Sequence, residues 1–242
     1  MANYAFDKDF IPFLSELPTV GDYSTAEKIQ ALRGERDEAF EPIALREGVE
    51  QEDRQIAGLH GAPNVPIRIY RPVASKGDSS KDLLAGFLEI HGGGFMFGNI
   101  EMMDGWCQMI AAEVGVVVVS VGYRLAPENP FPAGLEDSYA ALCWLHEHAE
   151  ELGVDRERIA IGGQSAGGGI AAGLALYNRD QAKGQADGPK ICYQLLEIPE
   201  IDDRLNTPSM LAFQDTPFWN RPNAVFSWQH YLGPNHEGDP SI

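Results

Sequence analysis

Residues 159–176 read IAIGGQSAGGGIAAGLAL and contain the most informative turn of the chain. The apolar segment Ile159 to Gly162 leads directly into a Gly-x-Ser-x-Gly turn centred on Ser165, and an Ala/Gly-rich segment with helical character follows from about 166 to 178. This strand–turn–helix context is typical of a turn that presents a nucleophile. N–H groups at the start of such a helix also favour developing negative charge. The pattern predicts a catalytic serine, and the alternative is a structural turn before a closely packed helix.

A second glycine-rich turn, His91-Gly-Gly-Gly-Phe95, follows the apolar segment that ends at Ile90. Consecutive glycines let backbone N–H groups point into a site without side-chain obstruction, and acyl transfer needs two or three such donors for its oxyanion. The alternatives are a flexible loop or a phosphate cradle. A cradle would favour a nearby Lys or Arg, and residues 91–101 contain neither. Because His91 stands directly before the glycines, we expect it to shape the loop rather than to act as a base.

Outward from these turns, apolar segments with strand character alternate with segments of helical period. Alternation of this kind predicts an α/β protein with a mostly parallel sheet flanked by helices. Ser24 and Glu27 resemble a capping box at the start of the first helix. The predicted strands are 52–58, 65–71, 84–90, 116–121, 159–162 and 191–198, and the predicted helices are 24–40, 101–113, 134–152 and 166–178.

The composition restricts the classes of partner. A chain of 242 residues with 44% hydrophobic residues can bury a large core, so it needs neither disulfides nor a metal to fold. Its 18 Lys and Arg against 36 Asp and Glu give a net charge of −18. Such a surface repels phosphate backbones and anionic membranes, so we expect no nucleic-acid partner and a ligand that is neutral or cationic.

The cysteines and the N-terminal residues bear on the compartment. Cys107, Cys143 and Cys192 show neither a metal-binding nor a disulfide spacing, and are expected to be reduced, mostly buried thiols. The first 17 residues do not resemble a secretory signal, and the longest apolar run, 114–121, is too short to span a bilayer. We therefore expect a cytoplasmic protein without a membrane span.

Two further patterns predict no site. Gly167, Gly169 and Ala172 fit a dinucleotide-binding pattern, but they fall inside the predicted helix rather than in the strand–helix turn. His146 and His148 are two residues apart on a helix and face different directions, so they cannot share a metal and are expected on its solvated face.

Together, the sequence blocks resemble those of the hormone-sensitive-lipase-like (family IV) carboxylesterases, a branch of the α/β-hydrolase superfamily. The resemblance covers about residues 55–205. It implies an α/β-hydrolase core over 51–204, a helical cap whose first segment is 1–50, and a second cap segment with the chain end over 205–242. The matching blocks are 91–95 with Gly98, 123–128 with 131–133, 153–155 with 158–159, and 163–168, joined by Pro199 and Asp202.

The resemblance implies a carboxylic ester hydrolase that acts on short- to medium-chain acyl or aryl esters, without a metal or an organic cofactor. Carried over by position, Ser165 is the nucleophile, and Gly93, Gly94 and Ala166 are the oxyanion-hole donors. The family role of Tyr123, Arg124 and Glu128 is structural. Gln164 departs from the family pattern, in which many members carry an acidic residue.

The triad acid and base are not identified by any motif, and the last two strands of the usual sheet are not evident. His230 or His236 could combine with an acid among Asp202, Asp203, Asp215 and Asp239. The sequence favours a fragment of a longer reading frame. The alternatives are a catalytically incomplete or dead member that binds a small ligand, and a compact enzyme with a base from its tail. An exposed sixth strand would also favour a homo-oligomer.

Overall fold

The structure, a computed structural model, describes residues 4–17, 21–39, 41–73, 83–181 and 187–234. Contacts between residues divide the chain into two units. One unit is Glu41–Ile201, and the other combines Met1–Phe40 with Asp202–Ile242. We call the first the sheet unit and the second the helical unit.

The sheet unit is built on six strands in the order β1-β2-β4-β3-β5-β6. The β1–β2 and β2–β4 pairs are antiparallel, whereas β3–β4, β3–β5 and β5–β6 are parallel. The mostly parallel sheet predicted from the alternation of elements is therefore confirmed. The strands are β1 (Val49–Ile56), β2 (Val65–Pro72), β3 (Leu84–Ile90), β4 (Val117–Val121), β5 (Val154–Gln164) and β6 (Ile191–Glu197).

Helices cover both faces of this sheet. β4 is buried at all five positions, as its run of valines requires. On one face, Phe87 and Val118 form a core cluster with Cys107 and Ala111 of the helix α2 (Asp104–Val114). Side chains alternate along a strand, so Gly86 belongs to the opposite face, where its nearest neighbours include Leu145. That face carries α3 (Ala133–Glu147) and α5 (Ala166–Gln181), and the short helix α4 (Ala149–Leu152) precedes β5.

Three element predictions are corrected. β5 begins at Val154 instead of 159, because the polar residues 155–158 extend the strand at its exposed end. The single helix predicted over 134–152 is divided into α3 and α4 at His148, whose φ of −97° and ψ of 12° lie outside the helical range. The first strand is Val49–Ile56 instead of 52–58.

Two predictions about side chains are also corrected. Of the cysteines, only Cys107 is buried, whereas Cys143 is half-buried and Cys192 exposed; all three are free thiols. His146 and His148 are half-buried instead of lying on a solvated face. The His148 ring stacks on the Trp144 ring, with 4.5 Å between the ring centroids.

The helical unit brings together segments that are distant in sequence. Its helices are α1 (Ala26–Ala39), α6 (Pro208–Ala212) and α7 (Arg221–Leu232), with a 3-10 turn at Ile11–Phe13. His230 of α7 donates from Nε2 to the carbonyl of Tyr23 at 2.8 Å, and Tyr4 donates to Asp215. The start of α1 lies one residue beyond the predicted capping box, since Thr25 rather than Ser24 accepts the N–H of Lys28. The role of this unit as a cap stays a prediction.

Within the described ranges, no helix is both long enough and apolar enough to cross a bilayer. Of the strands that the structure describes, β1 and β6 border the sheet.

Candidate active site

The two glycine-rich turns lie side by side at the carboxyl ends of β3 and β5. These strands are parallel neighbours, and Ile90 pairs with Gly163 at their last shared positions. A Cβ atom on Gly92 would lie 2.8 Å from the carbonyl oxygen of Gln164 and 3.5 Å from the Cβ of Ser165. A Cβ on Gly167 would overlap the Ile90 carbonyl oxygen. The turns therefore fit together only because glycine occupies these positions.

Ser165 lies between β5 and α5 in a left-handed backbone conformation, with a φ of 56°. A residue other than glycine pays about 1–2 kcal/mol for this conformation, so neighbouring contacts must hold it. The N–H of Ser165 donates to the carbonyl of Glu197 at 2.9 Å, and its carbonyl accepts the N–H groups of Gly169 and Glu200, both at 3.0 Å. The side chain is half-buried, as in a strained turn that presents its hydroxyl.

The loop after β3 also depends on left-handed backbone conformations. Gly93 has a φ of 125°, and Gly94 and Phe95 have φ values of 58° and 60°. A Cβ on Gly93 would overlap the carbonyl oxygen of Phe97, whose N–H donates to the Gly93 carbonyl at 2.9 Å. Phe95 is buried, and its carbonyl accepts the N–H of Ala126 at 3.0 Å. These contacts hold the loop in one tight turn beside Ser165.

His91 is buried beneath this loop. Its Nδ1 lies 2.8 Å from the Gly92 carbonyl oxygen, which can only accept, so Nδ1 carries the proton. The ring stacks on Tyr123 at 4.2 Å, and the Tyr123 hydroxyl donates to the His91 carbonyl at 2.9 Å. Burial lowers the pKa of His91 to about 4, so the imidazole is neutral at pH 7. Its contacts are those of a residue that shapes the loop.

Glu200 is a neighbour of Ser165 that the sequence analysis did not single out. The Ser165 Oγ donates to the Glu200 Oε1 in a long hydrogen bond of 3.5 Å. Its position after β6, the strand parallel to β5, is the sequence signal that could have placed it beside the serine turn. A single glutamate carries no motif, so the sequence pattern alone did not predict its place beside Ser165.

Three of the candidates for the triad acid and base form hydrogen bonds with partners other than Ser165. His230 is hydrogen-bonded to Tyr23 and Asp215 to Tyr4, all within the helical unit. Asp202 accepts from the Arg204 guanidinium at 2.7 Å, and this hydrogen bond lowers its pKa. Within the described residues, no hydrogen bond joins Asp203 to a histidine. His236 and Asp239 lie outside the described residues.

The part of the chain that the structure describes contains no group of three or more His, Cys, Asp or Glu side chains that could hold a metal ion. Gly167, Gly169 and Ala172 lie within α5, as the sequence analysis placed them, and not in a strand–helix turn.

Comparisons with known proteins agree with this architecture. A family model described as the alpha/beta hydrolase fold matches residues 87–242. Carboxylesterase NlhH of Mycobacterium tuberculosis is 36% identical over 208 residues, which cover 85% of this chain and 62% of that protein. Esterase LipI of the same species is 40% identical over 174 residues, 71% of this chain and 52% of that protein.

Among solved structures, a bacterial heroin esterase superposes with a TM-score of 0.85 at 42% identity, covering 98% of this chain and 72% of that one. By the coverages given for the two mycobacterial relatives, the chain spans less than two thirds of the length of NlhH and of LipI. The expected resemblance is confirmed over most of the chain. This chain belongs to the hormone-sensitive-lipase-like branch of the α/β-hydrolase fold family.

Proposed function

We propose that this chain carries the nucleophile and the oxyanion hole of a carboxylesterase for short- to medium-chain acyl or aryl esters. The observation that carries the proposal is the left-handed Ser165 turn packed against the Gly92–Gly94 loop. That arrangement unites a half-buried serine hydroxyl, a helix N-terminus and a glycine loop at the carboxyl ends of β3 and β5. Relatives described as carboxylesterases and esterases support the same reaction class.

In this proposal the reaction has two halves. The Ser165 Oγ attacks the acyl carbon of the ester while its proton passes to a general base, and a tetrahedral oxyanion forms. The N–H groups of Gly93, Gly94 and Ala166 are assigned to stabilise that oxyanion. The intermediate expels the alcohol, which takes up the proton, and leaves an acyl-Ser165 ester. Water then attacks the acyl carbon and releases the carboxylic acid with the free serine hydroxyl.

The general base is not assigned to a residue by the motifs. Among residues 41–201 as the structure describes them, Glu200 is the acidic side chain hydrogen-bonded to the Ser165 hydroxyl. His91 is neutral at pH 7, but its Nδ1 is committed to the Gly92 carbonyl and its ring is enclosed. It therefore serves the loop rather than the proton transfer.

The experiment is hydrolysis of p-nitrophenyl esters with acyl chains of two to sixteen carbons. We expect turnover that is greatest for the short and medium chains, and a loss of at least about 1000-fold in Ser165→Ala. Ser209→Ala, which changes a serine of α6, is the control and should retain the activity. A Ser165→Ala protein as active as the parent would refute the assignment.

A further inference from the structure

The carboxylate of Glu200 stands beside the proposed nucleophile. Its Oε1 accepts the hydrogen bond from the Ser165 Oγ at 3.5 Å, and the side chain is half-buried. Neither the motifs nor the family resemblance assigns this residue a role. Its position places an acidic group close to the carbon at which the negatively charged oxyanion is proposed to form.

The backbone fixes this carboxylate in place. The N–H of Glu200 donates to the carbonyl of Ser165 at 3.0 Å, and three residues earlier the Glu197 carbonyl accepts the Ser165 N–H at 2.9 Å. The Glu200 carbonyl also packs so closely on α5 that a Cβ on Gly169 would overlap it. Glu200 is therefore part of the packed serine turn and not a loosely placed surface acid.

Distance makes this charge relevant to a bound ester. The carbon under attack lies about 3–3.5 Å from the nucleophile in a reactive complex, and so within about 7 Å of the Glu200 Oε1. That separation is shorter than the screening length of about 8 Å at physiological ionic strength. A carboxylate here disfavours an uncompensated oxyanion, whereas a positive charge on the substrate offsets that cost.

The charge of the whole chain has the same sign. With a net charge of −18, its long-range field attracts cations and repels anions. A general-base role for Glu200 fits less well, because the 3.5 Å between the Ser165 Oγ and the Glu200 Oε1 exceeds the reach of about 2.6–3.2 Å at which a base takes up a proton. The local and the overall charge instead favour a cationic substrate.

We infer that Glu200 is a specificity-determining residue that selects esters with a quaternary or tertiary ammonium group close to the scissile bond over neutral esters of the same shape. The inference rests on the proposed role of Ser165 as the nucleophile. It concerns binding next to that serine, and it is therefore tested by a measurement that needs no turnover.

The test compares acetylcholine with 3,3-dimethylbutyl acetate, which has the same shape but carries carbon in place of the charged nitrogen. Both are titrated into the 242-residue Ser165→Ala protein, which cannot hydrolyse them by the proposed route, and Kd is measured by calorimetry or NMR. We expect acetylcholine to bind at least about tenfold more tightly, equivalent to about 1.4 kcal/mol.

A second substitution assigns the preference. In Ser165→Ala/Glu200→Gln the ratio of the two Kd values should fall close to one, while the affinity for the neutral ester is retained. The matched control is Ser165→Ala/Glu157→Gln, because Glu157 is an exposed carboxylate paired with Lys190, and its ratio should match the parent. Circular dichroism establishes that each variant is folded.

The inference is overturned if acetylcholine binds no better than the neutral ester, including the case of no measurable binding, or if Glu200→Gln leaves the preference intact. These outcomes differ from failure of the proposed function. That failure would appear as unchanged hydrolysis in Ser165→Ala, a result independent of the Kd ratio.

Discussion

At this site, the positions of individual residues depend on unusual backbone conformations and on burial. Ser165 and Phe95 adopt left-handed conformations that non-glycine residues seldom take, and each is held by backbone hydrogen bonds. The sequence predicted the strained serine turn, because glycines flank the serine between a strand and a helix. Glu200 was not predicted, because its proximity to Ser165 arises only when β6 pairs with β5.

Glu89, two residues before His91, is a buried carboxyl that makes stability depend on pH. It is 2% exposed, accepts a hydrogen bond from Trp106 and lies near Glu197. Burial is the main cause that raises its pKa from the ordinary 4.5 to about 8. The folded chain therefore holds a proton between these pH values that the unfolded chain releases, and the free energy of unfolding falls as pH rises.

We predict that Glu89→Gln removes this dependence. The parent loses about 1.4 kcal/mol of unfolding free energy per pH unit through Glu89 between pH 5.5 and 7, and the variant does not, because one proton is no longer linked to folding. The difference in unfolding free energy, variant minus parent, should therefore grow by that amount per pH unit. Urea unfolding monitored across this range measures the difference. Parallel pH curves for the two proteins would show that Glu89 is not protonated in the folded chain.

Among the secondary-structure elements, the bounds of the most buried strands were predicted most accurately from the sequence. β3 begins and ends at the predicted residues, and β4 differs by one, because continuous apolar runs allow few registers. The helix α7 was not predicted. It buries Asn223 and Ser227 along with Ala224 and Tyr231, so it shows no apolar stripe of helical period. Its start depends on the Asn220 side chain, which accepts the Asn223 N–H.

The loop after β4 is joined to α3 by a buried ion pair. The Asp137 side chain is 1% exposed and accepts the backbone N–H of Arg124 at 2.8 Å and two guanidinium nitrogens, each also at 2.8 Å. This geometry supports the structural role that the resemblance implies for Arg124. It also gives the pair a larger effect on folding than an exposed pair has.

Asp137→Ala is therefore expected to lower the free energy of unfolding by about 3 kcal/mol, since it leaves a partly buried guanidinium and a backbone N–H without their acceptor. The control is Glu113→Ala, which breaks an exposed pair with Arg46 and should cost less than about 1 kcal/mol. Chemical denaturation of both variants measures the contrast. Equal losses would contradict the structural role of the buried pair.

For the whole molecule, the excess of acidic residues is the dominant electrostatic property. The net charge of −18 produces repulsion that opposes the folded state, and added salt screens it. The predicted homo-oligomer stays a prediction. β6 borders the described sheet and exposes 61% of Tyr193, which is compatible with pairing but does not establish it.

We expect the chain to become more stable as NaCl rises from 0.02 to 0.5 M at pH 7. A gain of about 1 kcal/mol corresponds to a Tm increase of roughly 2–4 °C for a chain of this size. Scanning calorimetry measures it, and the same series at pH 5, where the net charge is smaller, should show a weaker effect. A Tm that falls with salt would mean that attractive ion pairs outweigh the repulsion.

The proposed role of Ser165 as the nucleophile is tested most directly by covalent labelling. The 242-residue chain is treated with a fluorophosphonate, and the modified peptide is identified by mass spectrometry, with Ser165→Ala treated in parallel. We predict one phosphonyl group per chain, attached to Ser165, and no modification of the variant. An unlabelled parent chain, or a label on a different serine, would contradict the claim.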